Sequence, residues 1–524
     1  MSISLTAAQQ QAIAKAKDYK ALMQEVGGAL WGFAEIGLQE YRSAAYLMEL
    51  YRENGFVVKG GLAGFPTGFT AEFTQGEGGA VIALLCEYDA LGALSTVQKG
   101  GNGHGCGHNL FGAAATATAM LMKSVMEEQG VSGTIRVYGT PGEENYAGKA
   151  YFVNHGLFDD VSCSVGFHAH DRNKVNYTVS SGTLITNYIF HGKPAHAGNC
   201  PWEGVSALDA VEIMNVACNY LREHLRPEAR VHYIITHGGD VTNVVPELAS
   251  SQYSVRAASV PYMEEIAQKV DRCADAAALA TGCTVEKQFV DKTYNTVLLR
   301  EYAQLAQSYL ELVGPPDFTE EELEAAKSFG DGTGLHRAIL PLPEYENFYG
   351  GATDEGDVSW VVPHVSIYTA NMAQNTNGHT LQFTCQANMP AAYTAMVTQV
   401  SATSAMLLGL MQSPEQMAAL KAAHKAKMGH LVYPKNPNYT LPPAFNPNCA
   451  GVTVEDGSIT VDMSQLILLP KGFSGTVCIE KEGKSIATFT QSGTVQGSVP
   501  LRKGDSLYIY AVTDTKQLIG YYNI

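Results

Sequence analysis

The sequence predicts an α/β protein: a main domain with a mostly parallel sheet, an inserted ferredoxin-like α+β domain, and an all-β domain at the C-terminus. Three observations predict it. Apolar strand-like runs alternate with helical segments, a β-α-β-β-α-β order interrupts them, and short Val, Ile, Thr and Tyr runs follow a proline-rich stretch. The predicted domains are 1–183 with 292–445, then 184–291, then 449–524. A chain of 524 residues is long enough for about three domains.

The main domain is predicted from buried strands separated by helices, the pattern of a parallel sheet. Its first predicted helices are 7–26, 40–54 and Ala113–Glu128, and its strands are Val81–Cys86, Thr134–Tyr138 and Cys163–Phe167. The pattern resumes near residue 295, with helices around 296–312, 320–327 and 391–427. Ligands of such sheets bind at the carboxyl ends of the strands, so polar residues just after these strands are candidates for chemistry.

The inserted and C-terminal domains have patterns of their own. The insertion is predicted as strand Leu184–Phe190, helix Val205–His224, strands Arg230–His237 and Ser250–Ala257, helix Tyr262–Ala280 and strand Thr284–Phe289. A linker at 429–448 is predicted from five prolines, at 434, 437, 442, 443 and 447. The strands expected after it are Ser458–Val461, Gly475–Ile479, Ser485–Thr490 and Ser506–Val512.

Composition narrows the class of protein. A formal net charge of −17 argues against binding to nucleic acid or to anionic membrane surfaces, which both require basic patches. The N-terminus lacks the basic and apolar regions of a signal peptide, and apolar runs such as Val81–Cys86 are far too short to span a membrane. Ten scattered cysteines are typical of reduced thiols, so we expect a cytoplasmic protein.

The glycine-rich segment Gly103–Asn109 carries the strongest chemical signal. Cys106 and His108 are two residues apart, and the glycines around them permit a turn in which both side chains converge. Sulfur and imidazole together suit zinc or a similar divalent ion. The alternative is an ordinary strand-to-helix turn that happens to contain His and Cys.

Two further groups follow predicted strands. Glu143 and Glu144 come after Thr134–Tyr138, where one carboxylate could ligate a metal and the other could take a proton from water. Acidic residues at a helix N-terminus are the alternative explanation. His168 and His170 end the next strand and compete for one role as ligand.

The last group lies in Thr353–Trp360, which contains three acids, and in Gly378–Thr380, which contains His379. These acids could simply be solvated loop residues, and His379 could be a surface histidine. Taken together, the groups supply Cys, Glu and His at repeated strand ends, about the number of ligands that two metals require. The sequence therefore predicts a metal-dependent hydrolase, with the main domain as its catalytic domain.

These segments resemble the amidohydrolase branch of the dinuclear zinc-peptidase family, which includes aminoacylases and carboxypeptidase-G-like enzymes. The resemblance rests on Glu87–Leu91, Cys106–Asn109, Gly142–Glu144, His168 and Gly378–His379. It is greatest to the aminobenzoyl-glutamate hydrolase group, through Arg230–Tyr233, Asn243–Val245 and Thr353–Trp360, and it covers about residues 10–445. It implies hydrolysis of an amide bond to a carboxylate-bearing amino acid in an N-acyl amino acid or dipeptide.

The resemblance also implies roles for single residues. Two divalent ions, zinc or manganese, would be held by Cys106, His108, Glu144, His168 and His379, with Cys106 bridging them and His170 as the alternative to His168. Glu143 would be the general base, and Asp89 a second catalytic carboxylate. In the inserted lid and dimerisation domain, His196 would reach a partner's active site in a homodimer, while Asn243 and Arg256 would hold the substrate carboxylate.

The chain departs from the family pattern at three positions. Glu87 stands where an Asp is usual, Asn109 where Asp is frequent, and Leu381 follows His379-Thr380 without the common aromatic residue. The rival activities are a dipeptidase and an N-acyl-amino-acid deacylase. The rivals outside enzymes are a catalytically inert binding protein of the same fold, which intact ligands and Glu143 disfavour, and a surface adhesin, which the absence of a signal peptide disfavours.

Overall fold

The computed structural model describes residues 4–436 and 438–524, so Pro437 of the predicted linker lies outside the described residues. Contacts divide the chain into two compact units. The first comprises the residues up to Tyr177, Leu298–Glu344 and Val361–Ile524, and the second comprises Thr178–Val297 and Tyr345–Trp360. Residues 449–524 cluster with the first unit, while the predicted domain boundaries remain predictions.

The helices and strands are numbered in chain order. The helices are α1 Ala7–Lys15, α2 Lys20–Phe33, α3 Tyr41–Glu53, α4 His108–Gln129, α5 Glu143–Tyr146, α6 Gly148–Asn154, α7 Ala207–Leu221, α8 Val260–Thr281, α9 Arg300–Val313, α10 Glu320–Ala326, α11 Glu355–Val361, α12 Leu381–Gln386, α13 Pro390–Met411 and α14 Pro414–Met428. The strands are β1 Val57–Gly60, β2 Phe69–Gln75, β3 Val81–Cys86, β4 Gly133–Gly139, β5 Cys163–His170, β6 Lys174–Val175, β7 Thr178–Ser180, β8 Gly182–His191, β9 Arg230–His237, β10 Leu248–Ala257, β11 Thr284–Thr293, β12 Asn347–Tyr349, β13 His364–Ala370, β14 Val452–Glu455, β15 Ser458–Val461, β16 Thr476–Lys481, β17 Lys484–Phe489, β18 Gly493–Gln496, β19 Ser506–Val512 and β20 Lys516–Asn523.

The main sheet of the first unit has the strand order β1-β2-β4-β3-β5-β13-β6. Its four central strands, β4, β3, β5 and β13, are parallel to one another, as predicted. The flanks are antiparallel, so the sheet is mixed, and the expectation of a mostly parallel sheet holds only for its centre. Strand β13 was not predicted, because three polar residues interrupt its apolar run: His364, Ser366 and Thr369. All three are buried.

Two predicted long helices are broken in the structure. Residues 7–26 form α1 and then a 3-10 turn, Ala16–Tyr19, after which α2 continues to Phe33. Residues 391–427 form α13 and α14, which are separated because the Ser413 side chain caps the amide of Gln416 and Pro414 begins the new helix. At this second break, local capping therefore outweighs the continuous apolar pattern.

Helix α13 is long and apolar enough to cross a membrane by length and composition alone, with a mean hydropathy of 1.3 in its most apolar window. Of that window, 94% is buried inside the fold, where α13 packs against α1, α4 and α9. Burial of this kind is what a central core helix shows, since a helix apolar on all sides needs neighbours on all sides.

The second unit contains a four-stranded antiparallel sheet of order β11-β8-β10-β9, with α7 and α8 packed on it. The chain order is β8-α7-β9-β10-α8-β11, the split βαβ plan that the sequence predicts. Strand β9 lies at one edge of this sheet. Alternate residues of β10 are buried, so one face of the sheet is covered by the helices.

The C-terminal strands form two small sheets, β14-β15-β18 and β17-β16-β19-β20. Strand β20 packs against β1, and the Tyr521 hydroxyl donates a hydrogen bond of 2.9 Å to the carbonyl of Gly64. Gly61 has φ +69 at this contact, and an added Cβ would lie 2.4 Å from the carbonyl oxygen of Leu518. Only glycine therefore fits between the C-terminal sheet and the rest of the unit.

Substitution Gly61→Ala tests this contact. We expect it to lower the free energy of unfolding by about 2–4 kcal/mol, because overpacking typically costs about 1–3 kcal/mol in addition to the strain of a positive φ. Denaturant unfolding of the full chain measures the change. Gly78→Ala is the matched control, since Gly78 has φ +70 but nothing within 4 Å of an added Cβ. Equal losses in both variants would contradict a tight contact at Gly61.

Candidate metal centre

Three central strands of the main sheet bring the predicted site residues to one edge. Strand β3 ends at Cys86, just before Glu87 and Asp89, and β4 ends shortly before Glu143 and Glu144. His168 lies near the end of β5. Because these strands are parallel, their carboxyl ends meet at the same edge, where open α/β sheets bind ligands.

The turn before α4 presents Cys106 and His108 to this edge. Gly107 caps the helix with φ +83, and a Cβ there would lie 2.9 Å from the side chain of Ala169, so the turn requires glycine. The Cys106 Sγ atom lies 3.5 Å from Nε2 of His168. His379, itself in the left-handed region with φ +58, joins the same turn by donating its amide to the carbonyl of Gly105 at 2.8 Å.

The candidate ligands form overlapping groups whose donor atoms lie within 4.8 Å of one another. Three of the groups contain the expected ligands: Cys106 with His108 and His168, Cys106 with Glu144 and His379, and His108 with Glu143 and Glu144. All five expected ligands and Glu143 therefore lie together. Cys106, His108 and Glu144 each belong to two of these groups, so the groups overlap in one continuous cluster.

Asp89 contacts two residues of this cluster, His108 and Glu144. One carboxylate oxygen lies 2.7 Å from Nδ1 of His108, and the other accepts the Glu144 amide at 3.0 Å. Burial alone would raise the pKa of Asp89, but the charge and hydrogen bond of His108 outweigh it and hold that pKa below its usual value. Asp89 accepts from Nδ1 of His108, so Nε2 is the ring nitrogen that remains for the cluster.

Two neighbouring histidines lie outside the cluster. His170 contacts Asp171 at 2.8 Å and stacks on Tyr368, so the structure groups His168, not His170, with Cys106. His104 is buried, with Nε2 3.0 Å from the Leu30 carbonyl oxygen, and burial lowers its pKa to about 4. A neutral, hydrogen-bonded His104 is a structural residue of the turn.

The donor set fits divalent metal ions. Oε1 of Glu144 is buried and has no hydrogen-bond partner among the described residues, and Oε2 lies 3.6 Å from Nε2 of His379. Burial raises the pKa of Glu144 and raises that of the Cys106 thiol to about 12. A bound cation reverses both effects, because it favours the carboxylate and the thiolate. Thiolate, imidazole and carboxylate together suit zinc or a related transition metal.

Two features of the site were missed by sequence reasoning. Glu40, fully buried at the start of α3, accepts the amide of Gly142 at 2.8 Å and so holds the turn that presents Glu143. Lys149, also fully buried, contacts Glu87 at 2.5 Å. A lysine next to the apolar run Ala150–Val153 was the available signal, since lysine is rarely buried without a charged partner.

The residues predicted for the lid occupy opposite ends of its sheet. His196 and Asn243 are neighbours, because the Ala197 amide donates to the Asn243 carbonyl at 3.0 Å, beyond the Leu248 end of β10. Arg256 lies near the other end of β10, paired with Thr183 and Arg230. Arg256 is eight positions after Leu248, a distance of about 26 Å in a strand. One lid therefore does not bring Arg256 together with Asn243 and His196.

The three acids of Thr353–Trp360 are buried in the second unit, not solvated in a loop. Asp357 accepts the amide of Tyr294 at 3.1 Å, and Ser359 accepts that of Val297 at 2.8 Å. These hydrogen bonds hold α11 against residues 294–297, which follow β11.

Comparison with known proteins agrees with this geometry. The family profile described as the peptidase dimerisation domain matches residues 178–281. The chain is 33% identical over 457 residues to one of the two subunits of p-aminobenzoyl-glutamate hydrolase from Escherichia coli, covering 79% of this chain and 94% of that protein. It belongs to the M20 peptidase family.

Other M20 relatives and solved structures extend the comparison. A mouse Xaa-Arg dipeptidase is 30% identical, covering 76% of this chain and 88% of that protein. A dinuclear metal binding peptidase of the M20 family from Bacillus subtilis has the same fold, with a TM-score of 0.51 at 18% identity, covering 74% of this chain and 98% of that one. An aminobenzoyl-glutamate utilization protein from Klebsiella pneumoniae has a TM-score of 0.54 at 16% identity, covering 76% and 98%.

Membership of the M20 family makes the chain a metal-binding hydrolase that acts on amide bonds. The predicted family, the fold with its inserted domain and C-terminal β sheets, and the amidohydrolase class are confirmed. The assignment of single residues to catalysis, metal binding or substrate binding remains a prediction.

Proposed function

We propose that this chain hydrolyses the amide bond of an N-acyl amino acid with a free carboxylate, of the aminobenzoyl-glutamate type, using two divalent ions, zinc or manganese. The observation that carries the proposal is the cluster in which Cys106 is shared by two groups of ligands beside Glu143. The Escherichia coli relative, which belongs to p-aminobenzoyl-glutamate hydrolase, supports the substrate class.

Each residue of the cluster has a task in this proposal. Bound divalent ions supply Lewis acidity to a water molecule and to the amide carbonyl. Cys106, His108, Glu144, His168 and His379 hold the ions, and Asp89 orients His108. Glu143, whose carboxylate lies within 4.8 Å of donor atoms of His108 and Glu144, takes a proton from the attacking water and passes it to the leaving amine.

A dipeptidase is the second candidate, because the mouse relative is an Xaa-Arg dipeptidase of nearly equal identity. A substrate panel separates the two. Purified protein, loaded in turn with Zn²⁺, Mn²⁺ and Co²⁺, is assayed on aminobenzoyl-glutamate, other N-acyl amino acids and dipeptides with acidic or basic C-terminal residues. The proposal requires the highest kcat/KM on an N-acyl amino acid. A preference for free dipeptides would replace it with the dipeptidase, and no hydrolysis of any substrate would favour an inert binding protein.

We also propose a homodimer formed through the lid. Helix α7 exposes Ile213, Val216 and Tyr220 at 41%, 53% and 74%, a spacing that places them on one face. The edge strand β9 exposes Ile234 and Ile235 at 60% and 47%. A second copy can pair with an edge strand and so extend the sheet. Exposed apolar patches commonly mark interfaces.

The dimer would complete the active site by placing His196 of one chain at the metals of its partner, where it stabilises the developing oxyanion. The separation within the lid supports this proposal. A carboxylate-bound substrate spans far less than about 26 Å, so Arg256 and the His196–Asn243 pair serve one substrate only if different lids supply them.

Mixed dimers test the shared site. Glu143→Ala and His196→Ala chains should each be nearly inactive, but unfolding and refolding them together should restore about a quarter of parental activity. Random pairing gives half mixed dimers, and each mixed dimer has one complete site of two. Analytical ultracentrifugation confirms that dimers form again. If His196 acts within its own chain, mixing restores nothing.

Arg256→Ala tests substrate anchoring. Loss of a hydrogen bond to a charged group costs about 1.5–3 kcal/mol, so KM for a substrate with a free carboxylate should rise about 10–100-fold. The amidated analogue of the same substrate should change much less. Arg230→Ala is the matched control, because Arg230 is the cross-strand neighbour of Arg256. Equal increases for acid and amide would contradict the assignment.

We further propose a reducing cytoplasm as the compartment. All ten cysteines are free thiols in the described part of the chain, and Cys106 must stay reduced to serve as a ligand.

A further inference from the structure

Glu87 is the carboxylate of the motif Glu87-Tyr88-Asp89 to which the proposed function assigns no task. It directly follows β3 and is 1% exposed. Its two oxygens have different neighbours: Oε1 lies 2.5 Å from Nζ of Lys149, and Oε2 lies 3.2 Å from Nε2 of His108. Glu87 thus connects a buried ammonium group with a candidate metal ligand.

The two ring nitrogens of His108 face different carboxylates. Nδ1 lies 2.7 Å from the Asp89 carboxylate, which can only accept, so Nδ1 carries a hydrogen. Nε2 is buried and makes no hydrogen bond among the described residues, although Glu87 lies so close. The contact therefore lacks hydrogen-bond geometry. Nε2 of His108 and Oε2 of Glu87 thus face each other at 3.2 Å with no hydrogen bond between them.

The separation itself fits two donors of one ion. Metal–nitrogen and metal–oxygen bonds of zinc are about 2.0–2.2 Å long, so two donors on one ion lie about 2.8–3.6 Å apart for angles between octahedral and tetrahedral. The distance of 3.2 Å between His108 Nε2 and Glu87 Oε2 falls within that range.

Lys149 explains how a further carboxylate can be accommodated. Its side chain is 0% exposed, and a buried ammonium is strongly unfavourable unless it is paired. Its contact with Oε1 neutralises Glu87 and leaves Oε2 as the oxygen that faces His108. The cluster already contains Cys106 and Glu144, so a neutralised carboxylate adds a donor without adding net negative charge.

We propose that Glu87 is an additional protein ligand of the metal centre, binding through Oε2 the same ion as His108, with Lys149 neutralising its other oxygen. The inference rests on the metal centre of the proposed function. It concerns binding of the ion alone, so it can fail while hydrolysis is demonstrated, and it can hold if the substrate class is wrong.

The test uses full-length protein freed of metal and titrated with Co²⁺. Glu87→Gln alone would remove the negative charge that faces the buried Lys149, so the decisive variant is Glu87→Gln with Lys149→Met, which replaces the ion pair by two neutral side chains of similar size. Lys149→Met alone is the matched comparison, because it differs from the double variant only at residue 87. Glu322→Gln controls for loss of a buried carboxylate, since Glu322 is 8% exposed and bonds with Thr394 on α13.

Two quantities are measured: the dissociation constants of both ions against a competing chelator, and the d–d absorption bands of the bound cobalt. In the double variant we expect one of the two ions to bind at least about ten-fold more weakly, and the d–d bands to change intensity because the ion has lost an oxygen donor. Lys149→Met alone should keep the parental band shape, and Glu322→Gln should keep both quantities. Unchanged affinity would overturn the proposal. Weaker binding with unchanged d–d bands would also overturn it, because Glu87 would then act only by orienting His108.

Discussion

Glu143→Gln should lower turnover by about two to four orders of magnitude while leaving both metal ions bound. The substitution keeps the size of the side chain and removes only the basic carboxylate, and acid–base catalysis of this kind contributes about 10²–10⁴-fold. Glu143 lies with His108 and Glu144 at the cluster, but it is not among the five expected ligands. The expected result is therefore a protein that has lost catalysis and kept its metal.

Steady-state kinetics and elemental analysis of the same preparation measure both quantities. Glu127→Gln is the control, because Glu127 lies on α4 and pairs with Lys123 at the surface, where a substitution should change neither quantity. Activity within threefold of the parent would eliminate Glu143 as the general base. Loss of metal together with activity would instead assign Glu143 to the ligands.

Cys106→Ala should remove metal and activity together. Cys106 is the expected bridging ligand within the cluster, so its loss should affect both ions at once. Even residues that only orient ligands typically contribute about 10–100-fold to metal affinity, so a shared ligand should contribute at least about 100-fold. The metal content after dialysis and the dissociation constants from chelator competition measure this effect.

Cys163→Ala provides the comparison for this variant. Cys163 is a buried thiol at the start of β5, the strand that also carries His168, but it belongs to none of the described ligand groups. It should retain both ions and nearly full activity. A Cys106→Ala protein that binds two ions with parental affinity would remove the bridging role.

Much of the site could be predicted from the sequence because chemistry and position coincide there. The five expected ligands are of residue types that bind metals: Cys106, His108, Glu144, His168 and His379. The first four lie at the ends of predicted strands or in the turns that follow them. Parallel strands bring their carboxyl ends to one edge, so the sequence order alone implies that these groups meet. The structure brings all five together with Glu143.

The contacts that support the ligands could not be predicted in the same way. Glu40, Glu87 and Lys149 are ordinary charged residues in the sequence, and their importance arises from complete burial. The helix boundary after Met411 was missed for a different reason, since the Ser413 cap and Pro414 compete locally with a long apolar pattern.

The sequence by itself determined the family, the split βαβ plan of the insertion and the set of candidate ligands, because periodicity and residue chemistry are properties of short segments. Only the tertiary structure decided which carboxylate accompanies which histidine, and that His170 pairs with Asp171 while His168 joins Cys106. It also decided that Arg256 and Asn243 lie at opposite ends of the lid sheet. These distances depend on how strands are ordered and how far they extend, and the spacing of residues along a chain does not contain that information.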